Sequence, residues 1–199
     1  MCLKGKQKSK TTIMKRLTLL LTFFACISAN AQEIELNENG VYEKKEVVKV
    51  DSVKANVLYE RAMIALSDWT GPDGRSKAGI DYQDKESGTI IYKGNYYMGF
   101  RHVILRAGWD MFADFTMKVR CKDGRAQITM TIPSMTGKYS ANNNERTVPL
   151  SEIVNKIHEK GKKKRPTHEY LPKIPEVAST LISAMCERLK QGGAEDDDF

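Results

Sequence analysis

Long apolar runs are missing from this sequence. The longest, Leu17 to Ile27, has eleven residues, about half of the ~20 that a bilayer-spanning helix needs. No segment therefore reads as a membrane span. Histidine is scarce: His102, His158 and His168 are the three in the chain. None forms HExxH and none pairs with cysteine at zinc-finger spacing, so they read as ordinary surface side chains and no metal is expected. No GxSxG nucleophile elbow occurs. Gly74-Arg75-Ser76-Lys77-Ala78-Gly79 holds the ingredients of a phosphate loop in the wrong order, because its lysine must follow the second glycine and precede Ser or Thr. These absences leave no catalytic residue and no cofactor to assign.

What is present begins at the N-terminus. Lys15 and Arg16 precede the apolar run, and Ala29-Asn30-Ala31 follows it. A positive segment, a short apolar segment and a small-x-small triplet make up a secretory signal peptide, cleaved before Gln32. The layout is complete from Met14, so residues 1–13 read as a mis-assigned start, with a long positive leader as the alternative. Cys26 offers a rival processing site, a lipoprotein anchor. The cysteine is preceded by a suitable Ala25, but Phe23 stands where such a motif prefers Leu. The expected location is the periplasm or the exterior.

Cleavage changes the charge. The chain has 32 Lys and Arg against 25 Asp and Glu, or +7. Residues 1–31 hold six of the basic residues and no acid, so 26 basic face 25 acidic residues afterwards, or +1. Such a balance gives no case for nucleic-acid binding. Of four cysteines, Cys121 and Cys186 remain. An oxidising compartment permits a bridge. It would need the Cα atoms within about 7 Å, and two separately buried thiols are the alternative.

Periodicity outlines the mature chain. Val41 to Asp51 reads as a strand and Ser52 as a helix N-cap. Val57, Leu58, Ala62, Ala65, Leu66 and Trp69 follow at helical spacing. Short strands are predicted at 80–83, 89–92 and 101–106. Two longer alternating strands, around 115–121 and 126–132, flank an Asp123-Gly124 turn. Asp84 to Gly88, inside Asp81 to Gly94, could be a ligand loop or a hairpin turn. A phosphate cradle needs a helix after it, and a strand pattern follows instead, so the turn is preferred. Residues 133–149 read as a long polar connection, 150–160 as a helix, and Ile174 onward as a second amphipathic helix. A disordered acidic tail is expected at 191–199. The whole is one α+β domain over residues 33–190, a two-layer sandwich of antiparallel sheet and helices.

The phrases Asp84 to Gly94 (DKESGTIIYKG), Cys121 to Ile132 (CKDGRAQITMTI) and Pro149 to Lys164 (PLSEIVNKIHEKGKKK), with the opening Glu33 to Asp51, resemble an exported bacterial family, the domain of unknown function 4468. The resemblance covers about Glu33 to Lys190. It implies a fold like the TATA-box-binding protein, a curved antiparallel sheet with helices on one face. It implies no known activity and no functional residues. A fold name does not carry DNA binding with it.

Two groups stand out as binding candidates. Tyr96, Tyr97 and Trp109 lie in aromatic clusters that could line a pocket or sheet face for a protein or glycan, or could fill core at a strand bend. Lys160, Lys162, Lys163, Lys164 and Arg165 form a basic patch, suited to weak contact with an anionic membrane surface or simply a solvated loop. The favoured reading is an exported, non-enzymatic binding module for an unknown envelope protein or glycan. The rivals are a hydrolase assembled from scattered residues, whose carboxylate separation sequence does not report, and a self-associating structural subunit.

Overall fold

The apolar alternation of the two longest strands dictates where the core lies. A computed structural model describes residues 34–69, 74–104, 107–161 and 165–191. The leader, Cys26, Lys162, Lys163, Lys164 and residues 192–199 lie outside them. Strands β4 (Ala107–Lys122) and β5 (Arg125–Tyr139) bury Met111, Ala113, Phe115, Met117, Val119 and Cys121, and opposite them Ala126, Ile128, Met130, Ile132 and Met135. Period-two burial, reset on β5 between Ile132 and Met135 by the register shift opposite Asp114 and Thr116, puts all of these on one face. Helices α1 (Ala55–Ser67) and α4 (Ile174–Gln191) cover that face. Leu58, Ala62 and Leu66 from α1 meet Ala178, Ile182 and Leu189 from α4 in one core cluster.

The remaining strands are β1 (Tyr42–Lys49), β2 (Lys77–Asp84), β3 (Thr89–Ile104) and β6 (Glu145–Pro149). The sheet is antiparallel in the order β1-β5-β4-β3-β2, with β6 also on β5. From Ile34 onward the described residues form one compact unit. It is the expected α+β sandwich, a curved sheet with helices on one face. Helix α2 (Leu150–Lys160) runs straight on from β6. The short helix α3 (Pro166–Tyr170) and one 3-10 turn then lead into α4.

Several boundaries differ from the sequence reading. The connection at 133–149 is largely strand: β5 continues to Tyr139 and β6 pairs with it. Pro133 suggested a break, because proline cannot donate to a ladder. Here it needs no partner. Pairing to β1 stops at Ile132, pairing to β6 starts at Ser134, and the β4 register skips between Asp114 and Thr116. The short strands predicted at 89–92 and 101–106 are one strand, β3, bulged between Tyr97 and Gly99. Ser52 does not cap α1. It has φ +67 in the preceding turn, and Asp123 of the β4–β5 turn accepts the Ala55 N–H at 2.8 Å instead. The Asp84 to Gly88 segment is a hairpin turn between β2 and β3, as preferred.

Candidate functional site

The aromatic candidates sit in strands, not in a loop, and alternation separates them. Tyr97 pairs across from Phe112, and Tyr96 from Ala113. Consecutive strand residues point to opposite faces. Ala113 is core, so Tyr96 shares the helix-covered face and packs partly buried against that core. Tyr97 lies on the open face. There the Arg75 guanidinium reaches the Tyr97 hydroxyl and Asp110 Oδ1, both at 2.8 Å, and stands 4.8 Å from the Tyr97 ring centroid. Trp109 returns to the covered face, two residues before the buried Met111. The three aromatics therefore do not form one site.

Trp109 instead faces a cavity of about 270 Å³ at the far end of the covered face. Met111 and Gly137 form part of its floor. Arg146 of β6, Lys156 of α2, Arg165 before α3, and His168 of α3 line its walls. Gly137 is required by close approach. A Cβ there would lie 3.1 Å from the Trp109 ring and 3.3 Å from the Met111 sulfur, so a bare backbone lets the indole lie against β5. Tyr139 supports the indole from the side, with ring centroids 5.1 Å apart. Alternation explains Arg146: it pairs with Gly137 and so shares the face of Trp109.

Charge in this cavity is unbalanced. Glu152 lines it and pairs with Lys156. The Lys156 ammonium, and Arg146 at longer range, hold the Glu152 carboxyl below its usual pKa. Among the described residues neither Arg146 nor Arg165 makes a salt bridge. Two guanidiniums thus border an aromatic floor outside any direct ion pair among the described residues, with Glu152 as the carboxylate that lines the cavity.

Of the basic patch, Lys160 ends α2 and Arg165 reaches the cavity. The surface reading of the histidines needs a correction for His168, which is buried and lines the cavity wall. His102 is exposed on β3 and stacks edge-on with Phe100, centroids 4.7 Å apart. The contemplated Cys121–Cys186 bridge is not formed: both are free thiols. Cys121 is buried on the central strand β4, and burial pushes its thiol up to about 11. Cys186 is only half-buried at the margin of α4, where Glu46 of β1 and Lys190 act on it. The apolar stripe of α4 meets the sheet, and Cys186 packs at its margin against the same core.

A second polar cluster lies on the open face. Asp114 Oδ2 accepts hydrogen bonds from Ser134 at 2.7 Å and Thr136 at 2.8 Å. Thr136 also shares a 2.7 Å hydrogen bond with Thr147. Burial raises the Asp114 carboxyl, more than its hydroxyl partners lower it. Sequence reasoning missed this network. Its signal was the Thr/Ser alternation of β5 and β6, hidden once 133–149 was read as loop. Two further clefts exist among the described residues. One, of about 210 Å³, lies over Trp69, Tyr92 and Phe115 between α1 and α4. The other is a groove beside Arg120, Lys122 and Arg125.

Residues 45–136 match the family model of the domain of unknown function (DUF4468) with TBP-like fold. The chain is similar in structure to a TBP-like protein from Parabacteroides distasonis, with TM-score 0.59 and 11% identity over 81% of this chain and 100% of that one. It is similar also to a DUF4468 family protein from Bacteroides ovatus, with TM-score 0.57 and 13% identity over 86% of this chain and 95% of that one. Comparison with curated proteins returned no match. At these identities the likeness shows the fold.

Proposed function

We propose, on the premise that residues 45–136 are a DUF4468 domain with the TBP-like fold, that this protein is an exported, non-enzymatic binding module of the bacterial envelope, and that it seats its ligand in the cavity over Trp109. Export is supported by the layout from Met14 to Ala31. Binding is carried by one observation. A half-buried tryptophan floors a cavity whose walls come from β6, α2 and α3. A concave apolar site with a few convergent polar groups is the usual form of a ligand site. An aromatic ring offers a rigid surface for stacking a sugar or planar group.

A hydrolase reading finds no support at this cavity. Among the described residues the carboxyl raised above its usual range is Asp114, and Asp114 lies on the opposite face of the sheet. A carboxyl that acts as a catalytic acid near neutral pH is commonly raised at the reacting centre.

The test is a titration of tryptophan emission with soluble envelope-type oligosaccharides. The wild type is expected to show a saturable change. Trp109→Ala, followed by calorimetry because the reporting indole is gone, should lose at least tenfold in affinity while still showing a cooperative thermal transition, lowered by the lost packing. Tyr97→Ala, on the other face, should bind as the wild type does. Equal affinity in Trp109→Ala and the wild type would defeat the proposal.

A further inference from the structure

We infer that the Trp109 cavity takes an acidic sugar, a pyranose ring bearing a carboxylate, with the ring on Trp109 and the carboxylate held by Arg146 and Arg165. This rests on the binding reading above and adds the ligand's chemical class. Three cations, from β6, α2 and the residue before α3, reach one cavity, and Glu152 offsets one of them through Lys156. The two arginines that remain have no salt bridge among the described residues. Three cations facing the single carboxylate of Glu152 leave an excess of positive charge that raises the free energy of the empty site, and a bound anion relieves it. Guanidinium groups match a carboxylate in a two-point fork, which an ammonium cannot reproduce.

The volume, about 270 Å³, lies just below the roughly 300–1,000 Å³ of ordinary ligand pockets, so one saccharide unit fits better than a helix or strand of a partner. The aromatic floor separates this cavity from the groove at Arg120, Lys122 and Arg125, which is basic but has only Val47 and Gln127 beside its charges. The cleft over Trp69, Tyr92 and Phe115 has the aromatics but only Arg188 as a cation, with Asp68 beside it. Trp109 with Arg146 and Arg165 combines both requirements.

The experiment uses the full mature chain and four probes: trigalacturonate, the neutral maltotriose, hexaglutamate and inorganic phosphate. Binding is followed by calorimetry and by tryptophan emission, with the thermal transition of each variant as the folding control. Trigalacturonate should bind at least tenfold more tightly than maltotriose and should perturb emission in the wild type but not in Trp109→Phe. Arg146→Met and Arg165→Met should each weaken it tenfold or more. Arg146→Lys, which keeps the charge but loses the fork, should recover only part of that loss. Equal binding of maltotriose, with both arginine variants unaffected, would overturn the acidic-sugar inference and leave the binding reading intact. Tight binding of hexaglutamate or phosphate in place of trigalacturonate would overturn it as well, while locating a different anion. Failure of every probe to bind would overturn both.

Discussion

Asp114 shows how one side chain can carry a pH dependence that its neighbours do not. Its carboxyl, on β4 opposite Ser134 of β5, accepts from Ser134 and Thr136 and is raised by burial above the ordinary 3.8. A raised carboxyl means the folded state holds its proton more tightly than the unfolded chain. Its contribution to stability is then full below the unfolded pKa and is lost as pH rises through the folded value. Asp114→Asn keeps an oxygen to accept both hydroxyls and removes the ionisation. The variant should melt no lower than the wild type at pH 7. Its advantage should vanish on acidification below about pH 4, near the unfolded carboxyl range. A variant that melts well below the wild type at pH 7, or an advantage that persists in acid, would contradict this assignment.

The β2–β3 hairpin is held by its turn. Asp84 Oδ1 accepts from the Glu86 N–H at 3.0 Å, an Asx-type turn in which a carboxylate replaces a backbone acceptor. Gly88 then takes φ +63. Its carbonyl accepts from the Cys121 N–H at 2.8 Å, tying the turn to the start of the β4–β5 hairpin. A Cβ at Gly88 would fall 2.6 Å from the Cys121 carbonyl oxygen, a backbone atom that cannot swing aside. Gly124, in the β4–β5 turn, has φ +71 but nothing within 4 Å of such a Cβ. Both substitutions to Ala incur the left-handed backbone penalty of roughly 1–2 kcal/mol. Gly88→Ala adds a clash, so denaturant unfolding should show it losing about 1 kcal/mol more than Gly124→Ala, in the range of overpacking. Equal losses would mean that the turn does not rest on Cys121.

The protein's place in the cell turns on its N-terminal segment. With residues 1–31 the chain carries +7, and without them +1, so processing decides whether it is broadly basic or nearly neutral. The proposed route is cleavage before Gln32. Intact mass of the protein from fractionated native cells should match a chain beginning at Gln32 in the soluble envelope fraction. Reduction should add no mass, since Cys121 and Cys186 are free thiols in the fold. A lipidated Cys26 in the membrane fraction would refute the soluble route and place the domain on a tether. A two-proton gain on reduction would refute the free thiols.

Local pattern was enough for much of the architecture. The alternation around Met117 and Ile128, the helical stripes of α1 and α4, the turns at Asp84 to Gly88 and Asp123-Gly124, and the sandwich they build all follow from near neighbours in the chain. Period two and period 3.6 are properties of adjacent residues, so sequence reports them. The separation of Tyr96 from Tyr97 needed the structure, because the sequence reading ended one strand at 92 and began the next at 101, and only a continuous β3 puts the two rings on opposite faces. Other features depend on residues far apart. Pro133 is tolerated because β1 and β6 meet end to end along β5, and the cap of α1 comes from Asp123 across 68 positions. The cavity joins Trp109 to Arg146, Lys156, Arg165 and His168 through four separate elements. Nothing in the spacing of those residues brings them together. That is done by the pairing of β6 with β5 and the packing of α2 and α3 over the end of the sheet, both set by burial of apolar surface remote from the cavity itself.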